Sequence, residues 1–97
     1  MNKIADMKYP KVQKAEAISD RILRVIFTNQ DVREYDITPL LDNPMFAPLR
    51  QPGFFRSFNL EPGGFGIVWN DDVDLSEYEL WKNGTIAKPG VGLSDGI

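Results

Sequence analysis

Trp69-Asn70-Asp71-Asp72-Val73-Asp74 sets an indole, an amide and three carboxylates within six positions. Acids gathered in a short loop are the ligand type of a hard cation. The spacing approaches that of a calcium loop, but the glycine of its sharp turn and its distal bidentate glutamate are out of register. No metal is therefore expected. Hydrolysis by a carboxylate pair needs two acids facing across a cleft, and a small sheet offers little cleft. The plainer reading makes these acids helix-start and loop residues. The candidate partner- or ligand-binding residues are Trp69, Asn70, Asp71, Asp72 and Asp74, with no catalytic residue and no cofactor assigned.

A second stretch, GFFRSFNLEPGGFGIVWND from Gly53 to Asp71, holds five of the chain's eleven aromatics. Its GFGIV core resembles the RNA-recognition strand consensus, K/R-G-F/Y-G/A-F-V-x-F/Y. Gly64, Phe65, Gly66 and Val68 match. Gly63 replaces the leading cation, Ile67 the second stacking aromatic and Asn70 the last one. Base stacking needs adjacent π-faces with cations for the phosphate. Here one stacking aromatic stands in an acidic neighbourhood, so an RNA platform is not expected. Phe65, Ile67 and Trp69 read instead as one face of a strand, in the core with Phe55 and Phe58. Gly63-Gly64 and Gly90-Val91-Gly92 lack both the strand–helix context and the lysine of a phosphate loop.

Composition removes further chemistries. The 97 residues include no cysteine and no histidine. Disulfides, thiolate metal sites and cysteine nucleophiles are excluded, together with the commonest general base and metal ligand. Their absence weighs against catalysis. Charge is uneven along the chain: residues 1–60 carry nine Lys/Arg against seven Asp/Glu, a net of +2, and residues 61–97 carry two against seven, a net of −5. Six of those acids fall between Glu61 and Glu79 with no basic residue among them. Such a segment repels phosphates and suits either solvent or a basic protein partner. No nucleic-acid or membrane partner is expected, and a homodimer is compatible with the sequence. No apolar run reaches the roughly 18 residues of a membrane span, and the polar start, MNKIADMKYPK, is unlike a signal peptide. A cytoplasmic location is expected.

The elements that must position these residues follow from pattern. Residues 1–9 have no sustained period and read as a flexible N-terminus. Val12–Ile18, Arg21–Thr28 and Val32–Ile37 read as strands, turned at Ser19-Asp20 and at Asn29-Gln30-Asp31. Leu23, Val25 and Phe27 share one face of the second strand. Thr38-Pro39 signals a helix start with Thr38 as cap, and Asn43-Pro44 repeats the signal. Pro48 limits the second element, so short helical turns are expected over 38–50. Met45, Phe46 and Leu49 should cover one end of the sheet. Phe54–Leu60 and Phe65–Trp69 read as a hairpin about Glu61-Pro62-Gly63-Gly64. A helix is read from Asp74 on, with Ser76 as cap, Glu79 as its capping-box partner and a Leu75–Leu80 staple, ended by Asn83-Gly84. From Thr85 the glycine-rich chain reads as a disordered, dispensable tail. The expectation is a single α+β domain over residues 10–84, with a small antiparallel sheet (three-stranded meander plus hairpin) and short helices.

Residues 10–84 resemble a bacterial family of unknown function, number 2442. The resemblance is carried in order by ILRVIFTNQDVREYDITPLL, FAPLRQPGFFRSF, GFGIVWND and VDLSEYEL. Usual members carry a glycine after the acid of the turn between the second and third strands, where this chain has Asp31-Val32. They also carry a glycine in the run after the tryptophan, which Asn70-Asp71-Asp72-Val73-Asp74 lacks. The resemblance implies a small α+β domain of no established activity. Many relatives are encoded beside another small uncharacterised protein, which implies two-gene modules of toxin–antitoxin type. Some relatives are fused to a helix-turn-helix, for which this chain has no room after Gly84. The leading expectation is a non-enzymatic protein-interaction module, an antitoxin-like partner of a co-encoded small protein. The alternative is a small-ligand-binding domain or enzyme using the Trp69–Asp74 region.

Overall fold

The computed structural model describes residues 9–86. β1 (Val12–Ala17), β2 (Ile22–Phe27) and β3 (Val32–Asp36) form the expected antiparallel meander. Leu23, Val25 and Phe27 are fully buried, and their neighbours Ile22, Arg24 and Ile26 are half-buried on the other face. The β1–β2 turn is tied by Ser19 Oγ, which accepts the N–H groups of Arg21 at 3.3 Å and Ile22 at 3.1 Å. In the β2–β3 turn, Gln30 N–H donates to Phe27 O at 2.8 Å, and Gln30 itself takes φ +80°. That left-handed conformation favours glycine, so an ordinary residue sits in a glycine-type position.

Prolines shape the crossover. Each of Pro39, Pro44 and Pro52 stands in the first turn of a short helical segment: 3-10 turns at Thr38–Asp42 and Pro44–Arg50, then α1 (Pro52–Phe55). Proline's fixed φ suits that place, and its missing N–H is not needed there. Asn43 caps as expected, its side chain accepting Met45 N–H at 2.9 Å. Thr38 does not cap. It is the first residue of its turn, and Asp36 is the acceptor, taking Thr38 N–H at 2.9 Å. The Thr38 hydroxyl and N–H together hold the Asp36 carboxyl below the usual carboxylate range. Leu49 is buried and Phe46 packs against the core, but Met45 is 57% exposed and covers nothing. The strand expected from Phe54 shrinks to β4 (Asn59–Leu60), because Pro52 starts a helical turn through Phe55.

β5 (Gly66–Val68) pairs antiparallel with β4 and with β6 (Asp74–Ser76), giving a second sheet in the order β4-β5-β6. Asp74–Ser76 is therefore a strand, not the helix's first turn. α2 follows at Glu77–Asn83, with Ser76 Oγ accepting Glu79 N–H at 3.1 Å. After Gly84, Thr85–Ile86 form β7 and pair with Glu34 and Arg33, extending the first sheet to β1-β2-β3-β7. Two residues grouped by composition with the tail thus belong to a sheet. The rest of that segment, and residues 1–8, lie outside the described residues.

Side chains of both sheets, the crossover and α2 merge into one buried cluster that includes Phe27, Ile37, Phe55, Ile67 and Leu80. The expected hairpin contributors divide. Phe55, Ile67 and Trp69 are buried, Phe58 packs against the cluster, and Phe65 is 55% exposed. Phe65 is not in the strand. It has φ −78° and ψ −1°, a helical conformation after the 3-10 turn Pro62–Gly64. Side chains alternate only along extended backbone, so the period that links 67 to 69 does not reach 65. The result is a small α+β fold of two antiparallel sheets with short helices.

Candidate functional site

The residues from Trp69 to Asp74 form the β5–β6 connection, and they separate into structural and accessible groups. Trp69 is 8% exposed. Its Nε1–H donates to Phe55 O at 2.8 Å, its ring stacks on Phe55 at 6.3 Å between centroids, and Phe58 meets it edge-on at 6.1 Å. The indole closes the core over α1 and is not offered to a ligand. Asn70 closes the loop. Its Oδ1 accepts the N–H groups of Asp72 and Val73, each at 2.8 Å, in place of a glycine turn. Val73 is buried beneath it. Asn70, Asp71, Asp72 and Asp74 are exposed; with the Asn70 amide oxygen taken up by the loop, the three acids are left open to a partner.

Asp74 lies opposite Val68 in the β5–β6 ladder and lines a groove of about 400 Å³ with Leu40, Phe46, Leu75, Ser76 and Glu79. One wall is apolar, from the proline-bounded turns. The other is polar, from the strand-to-helix junction. Sequence reasoning gave Phe46 a covering role and Ser76 and Glu79 a capping role. It did not bring them together, because the crossover's return onto β6 leaves no local signal. Glu79 makes only half the capping box: its N–H is bound by Ser76, but its carboxylate turns elsewhere. Oε2 accepts the Tyr35 hydroxyl at 2.6 Å and Asn83 Nδ2–H at 2.9 Å. Burial, then the hydrogen bond to Glu79 and its charge, push the Tyr35 phenol well above its usual range.

The six acids between Glu61 and Glu79 are therefore unlike one another. Glu77 meets a cation from far along the chain, Lys11 Nζ at 3.0 Å, and Glu79 is held by Tyr35 and Asn83. Asp71, Asp72 and Asp74 form no ion pair among the described residues. Among those residues no group of three metal-ligating side chains converges, and no helix is long and apolar enough to cross a membrane.

The family described as "Protein of unknown function (DUF2442)" matches residues 12–85. The chain belongs to the DUF2442 family. The DUF2442 match begins at the first residue of β1 and ends at the first of β7, so it takes in both sheets, the crossover and α2. All five residues from Trp69 to Asp74 that were singled out lie within it. Comparison with curated proteins and with solved structures returns no match.

Proposed function

We propose that this chain is a non-enzymatic protein-interaction module that receives a basic protein partner, as an antitoxin-like component paired with a small co-encoded protein. The observation that carries the reading is the position of Asp71, Asp72 and Asp74: exposed, without ion pairs among the described residues, and at or beside an apolar-walled groove. An Arg or Lys stem laid along Leu40 and Phe46 would bring its charge to Asp74 and Glu79, the way long cationic side chains bury their methylenes and keep the head group polar. The acidic loop beside it would draw such a partner in before contact. It would also repel nucleic-acid phosphates. The pairing with a co-encoded protein rests on the DUF2442 resemblance, which makes the neighbouring gene's product the first partner to try.

The test is association kinetics with a partner that copurifies stoichiometrically from the native host. Screening shortens from about 10 Å at 0.1 M salt to about 3 Å at 1 M, so the on-rate should fall steeply between those conditions. Replacing Asp71, Asp72 and Asp74 together by Asn should slow association at low salt and leave the fold intact. An on-rate indifferent to both salt and the triple substitution would overturn the reading, as would a copurifying metabolite with no protein.

A further inference from the structure

β6 is an edge strand, paired on one side only in the order β4-β5-β6. Its hydrogen-bond phase follows from the two ends of the β5–β6 ladder. Trp69 N–H donates to Val73 O and Glu77 N–H to Phe65 O, each at 2.9 Å, so both flanking pairs are hydrogen-bonded ones. Bonded and non-bonded pairs alternate along an antiparallel ladder. Ile67 and Leu75 are therefore a bonded pair, and Val68–Asp74 and Gly66–Ser76 are non-bonded pairs. The N–H and C=O of Asp74 and the N–H of Ser76 thus point away from β5. None of these three groups meets a hydrogen-bond partner among the described residues. The Ser76 C=O is used by the first turn of α2.

Open backbone groups on a sheet edge are a template for another chain. The remaining edges are less available. β4 and β7 are two residues long. At the start of β1 the Pro62–Gly64 turn is pressed so close that a Cβ on Gly64 would stand 2.5 Å from Val12 O. At β6 the open edge lines the groove of about 400 Å³, with Leu40 and Phe46 forming its apolar wall.

We infer that this groove is a strand-addition site: the basic partner proposed above, on which the inference rests, lays an extended segment antiparallel to β6, with Lys or Arg opposite Asp74 and an apolar residue opposite Leu75. Backbone chemistry chooses the form. Extended main chain can answer open N–H and C=O groups together, whereas a helix spends its own groups internally. Charge chooses the sequence. Asp74 is exposed and, like Asp71 and Asp72 beside it, forms no ion pair among the described residues, and opposite charges directly across a ladder attract. Side chains alternate along a strand, so the next residue turns to the Leu75 side, where Leu40 and Phe46 pack against the core. The same charges reject a second copy. Two β6 strands paired antiparallel about Leu75 would bring the loop acids of each copy toward Glu77 and Glu79 of the other, and like charges across a ladder repel.

The probe is a synthetic peptide, acetyl-Thr-Arg-Val-Lys-Val-Arg-Thr-amide, titrated to millimolar concentration into the whole chain and followed by amide NMR. Saturable shifts centred on Asp74, Leu75 and Ser76 are expected, with slowed hydrogen exchange at the Asp74 and Ser76 amides. When the basic side chains lie on the Asp74 side, the backbone groups of those residues face β6. N-methylating the three basic residues should therefore weaken binding about tenfold or more, by removing main-chain hydrogen bonds. N-methylating the two valines keeps the charge and should change binding little. Rising salt should weaken binding, and so should replacing Asp71, Asp72 and Asp74 together by Asn. Equal binding by the two N-methylated peptides, still lost with salt and with the triple substitution, would overturn strand addition and leave a basic partner standing. Binding indifferent to salt and to the triple substitution would count against the basic-partner reading as well. A peptide that does not bind, shifts centred on β1, or a dimer of the chain in sedimentation velocity would also overturn the inference.

Discussion

Gln30 shows how one residue sets a local cost. Its φ of +80° puts an L side chain in the left-handed region, which is unfavourable by roughly 1–2 kcal/mol. Glycine removes that strain but loses more entropy on folding. Gln30→Gly should therefore stabilise the chain by about 0.5–1 kcal/mol, read as a higher urea midpoint with an unchanged slope. Tyr35 carries a second expectation. Its hydroxyl donates to Glu79 at 2.6 Å, and a hydrogen bond to a charged group contributes about 1.5–3 kcal/mol, so Tyr35→Phe should destabilise the chain by that much, read as a lower urea midpoint. The pH dependence follows from the raised phenol pKa. Below the unfolded value of about 10 the tyrosine is neutral in both states and its contribution is complete. Above it the unfolded chain releases the proton first, and the contribution is lost as pH climbs toward the folded value. Tyr35→Phe should thus flatten the alkaline fall in stability. An equally steep fall in the variant would place its cause elsewhere.

Among the elements, α2 is held from several directions at once. Arg33 lies 3.6 Å over the Trp81 ring and donates from Nη1 to Trp81 O at 2.9 Å, while Phe27 meets Trp81 edge-on at 5.2 Å. These contacts fix a helix of seven residues, which would be marginal alone because helix nucleation is unfavourable. Ser76 caps it, so Ser76→Ala should destabilise by about 1 kcal/mol. Ser76 also lines the groove, but the variant leaves Asp71, Asp72 and Asp74 untouched. Its thermal midpoint should fall while the salt dependence of partner association persists. An unchanged midpoint would mean that Ser76 Oγ gives α2 no net stabilisation.

For the whole molecule, charge distribution decides more than total charge. Replacing Asp71, Asp72 and Asp74 by Asn moves the formal net charge from −3 to zero, and so does changing Asp20, Asp42 and Glu61 to their amides. If the loop is the docking surface, only the first set should slow association. Equal slowing by both sets would assign the effect to the global field. Among the described residues, ring–ring and ring–cation contacts join distant parts of the chain, Lys11 with Phe65 and Arg33 with Trp81 among them.

Strong local signals were legible in the sequence. The meander follows from alternation in Arg21–Thr28, the helical turns from Pro39 and Pro44, and the cap at Ser76 from its place before α2. Each depends on residues within a few positions of one another. Tertiary structure decided the rest. β6 and β7 are three and two residues long, too short for a period, and exist because β5 and β3 offer open backbone groups. Phe65 left the core because a helical backbone at that residue breaks the alternation. Trp69 is in the core as its strand face implied, and what tertiary structure added is Phe55 O, fourteen residues earlier, which accepts its indole N–H. Glu77 found Lys11 and Glu79 found Tyr35 only when strands far apart in sequence met, which leaves four of the six acids, Glu61 with Asp71, Asp72 and Asp74, without a side-chain partner among the described residues.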